Sequence, residues 1–213
     1  MGATTGEERY RILLATHQEA IRQGREVSYA GIDTIELNIP KDAHSIPLPS
    51  KVDFHGVKLI VRNKAKEITL FTLQQATSFI QVSKEALTHY SFKTIPELKR
   101  GTNLLMIEDK TPWVKVRRGY SYGAKRRDIL LVRNGVSQNK TIAPYDDTES
   151  NPSCSYCPVS RRKKEIKNVV FHRTEDSEYI TRLIQIENQY NVVLNNVTII
   201  TPASKLYGDH AIT

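Results

Sequence analysis

The spacing of apolar residues changes once along the chain, near residue 32. Before that point, apolar and aromatic side chains recur at the three- and four-residue intervals of a helix: Tyr10, Leu13, Leu14, His17 and Ile21. Glu7 and Glu8 precede this run and Gly24 follows it, which suits the start and the end of a helix. The pattern predicts an amphipathic α-helix over residues 7 to 23.

After residue 32, short β-branched runs alternate with turn residues. The runs are IELNI, VKLIV, EITLF, NLLMI, WVKV, DILLV, NVVF, RLIQI, NVVL and VTII. A second helix is conceivable over residues 72 to 87, although Thr, Phe, Ile and Val weaken its pattern. Many short strands with few helices between them predict an all-β protein.

One pattern recurs in the second half of the chain. Residues 168 to 171 read Asn-Val-Val-Phe and residues 196 to 199 read Asn-Val-Thr-Ile, a separation of 28 positions (196 − 168). Two further runs lie between them, and asparagine tolerates the left-handed backbone that tight corners need. The candidate corner residues are Asn188, Asn191, Asn195 and Asn196. Stacked units of three strands are typical of a parallel β-helix, with a β-sandwich as the alternative.

Composition places the chain among globular proteins. It has 213 residues, of which 39% are hydrophobic and 25% are charged. No apolar run approaches the length of a membrane-spanning helix. The N-terminus lacks the basic-then-apolar order of a secretory signal, so localisation stays open.

The net charge of +8 is concentrated in two segments, VRRGYSYGAKRRD and SRRKKEIK. Basic segments attract polyanions such as nucleic acid or acidic polysaccharide, and the alternative is a solvated loop surface. Neither a zinc-finger spacing nor an aromatic-glycine RNA motif is present, which disfavours nucleic acid. Nucleic acid therefore has no support beyond the charge itself.

Two segments carry a family resemblance. Residues 32 to 63, IDTIELNIPKDAHSIPLPSKVDFHGVKLIVRN, followed by the Asn-Val repeats, resemble the start of pectin-lyase-like proteins. The stretch that begins at residue 118 with RGYSYGAKRRDILLVRNGVSQN, and runs through APYDD to VTIITPASKLYGDHAIT at residues 197 to 213, resembles a bacterial subgroup of β-helix repeat proteins and glycosidases. The resemblance implies an exported protein that cleaves or binds polysaccharides, especially polymers of uronic acids. It also implies that this chain is the N-terminal part of a longer protein.

Pattern and resemblance together predict an all-β, right-handed parallel β-helix, truncated at its C-terminus. Residues 1 to 30 would form a capping helix, which covers the open apolar end of the solenoid. Residues 31 to 213 would form one domain of coils with long loop insertions.

The resemblance implies few site residues. Of its catalytic motifs only Asp146-Asp147 matches, and adjacent loop aspartates are more typical of a turn. Acidic lyase-type groups are available at Glu175, Asp176 and Asp209, but no spacing singles them out. Catalytic residues are therefore expected outside this chain. The predicted substrate-binding residues are Arg117, Arg118, Lys125, Arg126, Arg127, Tyr120 and Tyr122. Trp113 would add to the stacking surface of the two tyrosines, and the alternative for these aromatic residues is packing in the core or at its rim.

Three functions remain. The first is binding or cleavage of an acidic polysaccharide, by a lyase or a glycoside hydrolase. The second is a non-enzymatic module for adhesion or structure. The third is a serine hydrolase, because GYSYG matches the G-x-S-x-G elbow at Ser121, with Asp176 and His210 as partners.

The remaining chemistry is limited. Cys154 and Cys157 form a Cys-x-x-Cys pair in a predicted loop bracketed by prolines. We interpret the pair as two structural thiols or a loop disulfide rather than as a redox motif. The histidines show no metal-ligand spacing, so no metal is predicted. Cofactor and oligomeric state stay open.

Overall fold

The computed structural model describes residues 5–63, 67–114, 124–145, 150–174, 180–201 and 210–212. The chain forms two compact units. Unit 1 comprises Met1–Gln74 and Arg162–Thr213, and unit 2 comprises Gln75–Arg161. Unit 2 is thus inserted between the two halves of unit 1. The predicted division at residue 30 stays a prediction.

The described residues form two helices and fourteen strands. The helices are α1 (Gly6–Gln23) and α2 (Lys84–His89). In chain order the strands are β1 (Val27–Ser28), β2 (Thr34–Asn38), β3 (Ile46–Pro47), β4 (Lys51–Arg62), β5 (Ile68–Gln74), β6 (Ser78–Ile80), β7 (Thr102–Val114), β8 (Ala124–Arg133), β9 (Val136–Ser137), β10 (Pro152–Pro158), β11 (Lys164–Arg173), β12 (Ile180–Glu187), β13 (Val192–Ile200) and β14 (His210–Ile212).

Helix α1 confirms the predicted N-terminal helix. The side chain of Thr5 accepts a hydrogen bond from the Glu8 amide, and the Glu8 carboxylate accepts one from the Thr5 amide. Gly24 ends the helix at a φ of 65°. One predicted core residue is wrong: Ile21 is 45% exposed. Ala20, which lies one turn after His17, takes the core-facing position instead.

Unit 1 contains two parallel sheets. The first runs in the order β1-β4-β11-β13, with β2 also pairing with β4, and the second runs β14-β12-β5-β3. Their apolar side chains and helix α1 share one core, in which the ring of Phe71 contacts the rings of both Phe54 and Phe171. Parallel strands that are buried in this way are rich in β-branched residues, and the sequence of these strands shows that composition.

The repeated Asn-Val segments lie side by side in unit 1. Val169 pairs with Val197 and Phe171 pairs with Ile199, in parallel register. Asn168 and Asn196 have φ angles of 58° and 53°, which is the left-handed conformation expected at a corner. Asn188 and Asn191 are also left-handed, whereas Asn195 lies within strand β13 without a positive φ.

The corner residues are joined by a row of side-chain hydrogen bonds. Asn196 Nδ2 donates to Asn168 Oδ1 at 3.0 Å, and Asn168 Nδ2 donates to Asp53 Oδ1 at 3.0 Å. We call Asp53, Asn168 and Asn196 the corner ladder. It connects strands β4, β11 and β13, so it fixes their relative register.

The described residues of unit 2 form an antiparallel sheet in the order β6-β10-β7-β8-β9. One face of the sheet covers a separate core with helix α2 and the loops that follow it. The core residues are Leu87, Phe92, Leu98, Leu105, Ile107, Leu130, Val132, Tyr145 and Cys154.

The predicted right-handed parallel β-helix is wrong. The structure has two parallel sheets and one antiparallel sheet, and its described residues show no single solenoid. The runs NLLMI and DILLV, interpreted as coils, belong to the antiparallel strands β7 and β8. Asn134 and Gly135, with φ angles of 47° and 76°, form the tight turn between β8 and β9. An Asn-Gly turn favours antiparallel pairing of the strands on either side of it, so this pair of residues is the sequence signal against a solenoid here.

His17 lies inside the core of unit 1. It is fully buried; its Nδ1 lies 3.0 Å from the Pro47 carbonyl oxygen and its Nε2 lies 2.7 Å from the Tyr29 hydroxyl. The carbonyl can only accept, so Nδ1 donates and Nε2 accepts from Tyr29. Burial lowers the pKa of His17 to about 4, although the hydrogen bond to Pro47 acts in the opposite direction.

We expect His17 to make unit 1 sensitive to acid. His17 binds a proton near pH 6.5 in the unfolded chain and near pH 4 in the folded chain. The contribution of neutral His17 to the free energy of unfolding is therefore fully present above pH 6.5 and is lost as the pH falls from 6.5 to 4. The loss approaches about 3 kcal/mol. Urea unfolding followed by circular dichroism at pH 7 and pH 4.5 measures it. His17→Gln should lose less stability over this interval, and an equal loss in both proteins would contradict the prediction.

The second prediction concerns the stability that the corner ladder contributes. Asn168→Gly keeps the left-handed backbone but removes the ladder hydrogen bonds, and we expect it to cost about 1–2 kcal/mol. Asn168→Ala should cost about 1 kcal/mol more, because alanine is strained in the left-handed region. Urea unfolding of both variants gives the comparison. An alanine variant as stable as the glycine variant would show that the corner imposes no backbone requirement.

Candidate functional site

A groove in unit 1 collects positively charged side chains. It has a volume of about 830 Å³. Its basic residues are Arg25, Lys51, Arg162 and Lys163, and its acidic residue is Glu26. We call this the basic groove.

Element ends bring these residues together. Helix α1 stops at Gly24, so Arg25 and Glu26 lie in the short connection to strand β1. Lys51 is the first residue of β4, and Lys163 immediately precedes β11. Strand β4 pairs with both β1 and β11, which brings the three chain segments to one edge of the sheet.

The groove also contains neutral polar and apolar side chains. The polar ones are Ser50, Thr72 and Gln74, and the apolar ones include Ile21, Leu48 and the two flanking prolines, Pro47 and Pro49. Hydroxyl and amide groups can bond the hydroxyls of a sugar, and apolar side chains can pack against its C–H surfaces. The groove is therefore suited to a hydroxylated anion.

Two ion pairs partly neutralise the groove. Lys51 pairs with Glu26, and the Glu26 hydrogen bond raises the pKa of Lys51. Lys163 Nζ lies 2.7 Å from Glu165 Oε1, and this hydrogen bond lowers the pKa of Glu165. These pairs are exposed at Lys51 and Lys163, where water screens them. Among the described residues that line the groove, four are cationic and one is a carboxylate, so the groove is positive.

A smaller groove of about 310 Å³ adjoins the basic groove and shares Glu26 and Lys51 with it. Its chemistry centres on Ser28 and Asp53, which are cross-strand partners, and on His55. Ser28 Oγ lies 2.9 Å from His55 Nε2, and Asp53 Oδ2 lies 3.5 Å from the same nitrogen. We call Ser28, Asp53 and His55 the acid–base cluster.

Asp53 receives several donors. The His55 amide donates to its Oδ1 at 2.9 Å, and Lys167 Nζ lies 3.2 Å from its Oδ2. Desolvation is the largest influence on the pKa of Asp53 and would raise it. Hydrogen bonds from Asn168, the His55 amide and Lys167 outweigh it together and lower the pKa to about 2. Asp53 is therefore a carboxylate at any physiological pH.

Most of the substrate-binding residues predicted from the sequence lie outside the described part of the chain. These are Arg117, Arg118, Tyr120 and Tyr122, together with the Lys125 side chain. The same holds for the other candidate groups: Ser121, Asp146, Asp147, Glu175, Asp176, Asp209 and the side chains of Trp113 and His210. Their roles stay predictions.

Arg126 and Arg127 are described, and they differ sharply. Arg126 is 5% exposed, with its Nε 3.3 Å from Asp128 Oδ2 and its guanidinium 3.6 Å from the centre of the Tyr145 ring. Its Nη1 also donates to the Pro144 carbonyl oxygen at 2.9 Å. Burial of this kind fits a structural role in unit 2. Arg127 points away from that core, with its side chain 71% exposed and paired with Glu108.

The Cys-x-x-Cys pair lies in a strand rather than in the predicted loop. Cys154 and Cys157 both belong to β10, where residues three positions apart point to opposite faces of the sheet. Neither cysteine is in a disulfide and both are buried, and burial raises the pKa of Cys154 to about 11. Neither a disulfide nor a reactive thiolate suits this arrangement. Among the described residues, no group of three or more His, Cys, Asp or Glu could hold a metal ion.

Sequence reasoning missed the residues that form the two grooves. Arg162 and Lys163 were recognised only as part of a basic segment, and Arg25 and Lys51 were not singled out at all. Each lies at the end of an element, where charged residues are ordinary. Only the pairing of β4 with β1 and β11 brings them together, and the β4–β11 pairing joins residues more than a hundred positions apart in sequence.

No protein-family model matches this chain, and no curated protein matches its sequence. The resemblance to pectin-lyase-like proteins therefore stays a prediction. Within the described residues, no helix has the length and apolar character needed to cross a membrane.

The neighbouring arginines allow a matched test of their placement. We expect Arg126→Ala to destabilise unit 2 by about 3–5 kcal/mol, because it leaves Asp128 buried without its ion pair. Arg127→Ala should cost less than about 1 kcal/mol, because its ion pair is exposed. Urea unfolding measures both values, and equal effects would contradict the contrast in burial.

Proposed function

We propose that this protein binds an acidic polysaccharide in the basic groove of unit 1. The observation that carries the proposal is the set of four cationic side chains around one groove: Arg25, Lys51, Arg162 and Lys163. Such a set attracts anions through the summed field of its charges, and a concave site strengthens that field.

The other groove residues favour a sugar over a compact anion. A groove of about 830 Å³ is far larger than a single phosphate or sulfate requires. Its hydroxyl and amide side chains match the hydroxyls of a sugar ring, while Ile21, Leu48 and the prolines match the ring's apolar surface. Carboxylates on successive residues of a uronic-acid polymer would then meet the arginines and lysines.

This proposal relocates the binding surface that the sequence suggested. The predicted residues between Arg117 and Arg127 belong to unit 2, whereas the basic groove belongs to unit 1. Binding is common to the first two functions considered from the sequence, a polysaccharide-degrading enzyme and a non-enzymatic module. The basic groove by itself supports binding.

Charge reversal tests the groove directly. We expect Arg25→Glu to weaken binding of oligogalacturonate about fivefold to tenfold, because one attractive charge becomes repulsive near an anionic ligand. Isothermal titration calorimetry at low salt measures the affinity. Arg11→Glu is the matched control, since Arg11 is an exposed arginine of helix α1 that does not line the groove.

Two results would contradict the proposal. One is an equal loss of affinity in both variants, which would mean that net charge alone attracts the polymer. The other is equal binding of a neutral galactan, which would mean that the cations do not select the ligand. Binding to oligogalacturonate should also weaken as salt is raised.

A further inference from the structure

We propose that Ser28 and His55 form a nucleophile–base pair that hydrolyses carboxylic esters. Ser28 Oγ and His55 Nε2 are 2.9 Å apart, which is hydrogen-bond distance for a serine and its general base. Ser28 is exposed and the His55 side chain is 43% exposed, so a substrate can reach both. Neither residue belongs to the G-x-S-x-G segment.

The backbone holds His55 in an unusual conformation. His55 and Gly56 have φ angles of 51° and 86°, and they lie in a bulge between the paired residues Asp53 and Val57. A histidine in the left-handed region is strained, and such strain is concentrated at functional sites. The His55 amide, which donates to Asp53 Oδ1, stabilises the bulge and keeps the imidazole next to Ser28.

Asp53 assists the pair through charge. Its carboxylate Oδ2 lies 3.5 Å from His55 Nε2, the nitrogen that would receive the serine proton. A permanent carboxylate at this distance stabilises the imidazolium that forms during the reaction. It contacts the same nitrogen as the serine does, so it acts on the charge of the ring rather than on the choice of tautomer.

The reaction then proceeds in two balanced stages. Ser28 Oγ attacks the ester carbonyl carbon as its proton passes to His55 Nε2, and the C–O bond to the alcohol breaks as that proton passes to the leaving oxygen. Water repeats the sequence on the acyl-serine and releases the acid. The ammonium groups of Lys51 and Lys167 line the same groove, where they can oppose the developing negative charge on the carbonyl oxygen.

The position of the cluster indicates the kind of ester. The smaller groove shares Glu26 and Lys51 with the basic groove, so an acylated sugar beside a bound uronate would lie near Ser28. The expected substrate is therefore an O-acyl ester on an acidic polysaccharide. This assignment of the polymer rests on the proposed function, whereas the activity of Ser28 towards simple esters does not.

The test uses the full chain, a fluorophosphonate probe and p-nitrophenyl acetate. We expect the probe to modify Ser28, as located by peptide mass spectrometry. Ser28→Ala should abolish labelling, and His55→Gln should slow both labelling and ester hydrolysis at least about a hundredfold. Ser153→Ala is the matched control, an exposed serine of unit 2, and it should react like the unaltered chain. Circular dichroism checks that each variant is folded.

The outcomes separate the two proposals. No labelling, or labelling at Ser121 instead, overturns the role of Ser28. Labelling that is unchanged in folded His55→Gln overturns the role of the base. Acetate release from acetylated oligogalacturonate supports the polymer assignment, and its absence from a chain that cleaves p-nitrophenyl acetate overturns that assignment alone. If the chain binds oligogalacturonate but the probe does not label it, the proposed function stands and the esterase proposal is overturned.

Discussion

The Asp53 carboxylate is the contact on which much of unit 1 depends. Through Oδ1 it accepts hydrogen bonds from Asn168 and from the His55 amide, and through Oδ2 it pairs with Lys167. The first of these bonds joins residues 115 positions apart in sequence and fixes strand β11 against strand β4. The others hold the bulge that presents His55. One ionised side chain therefore supports both the sheet register and the acid–base cluster.

The two arginines of unit 2 show why charge in a sequence is a weak guide to a binding surface. Arg126 and Arg127 are adjacent in strand β8, so their side chains point to opposite faces of the sheet. One joins Asp128 and Tyr145 in a buried network, and the other lies in solvent. The basic groove is the reverse case, because its cations come from separate segments. No local pattern reveals it.

Local signals were sufficient for some elements and not for others. The spacing of Tyr10, Leu13 and His17 predicted helix α1, and the Asn-Val repeat predicted the pairing of β11 with β13. Residues 102 to 133 have the same β-branched composition, which predicted further coils of a solenoid, but they form antiparallel strands. Strand propensity does not specify strand direction, whereas the turn does. The Asn134-Gly135 turn was the available evidence.

The insertion of unit 2 has a consequence for the order of folding. Strands β4 and β5 emerge during synthesis well before their partners β11 and β12, with all of residues 75 to 161 in between. The hairpins of unit 2 connect neighbours in sequence, so their loops close at a smaller entropic cost. Unit 2 can therefore collapse first, while β4 and β5 are not yet paired with β11 and β12. During that interval the nascent chain exposes Val57, Leu59 and Phe71, which makes early unit 1 the segment that most needs protection from aggregation.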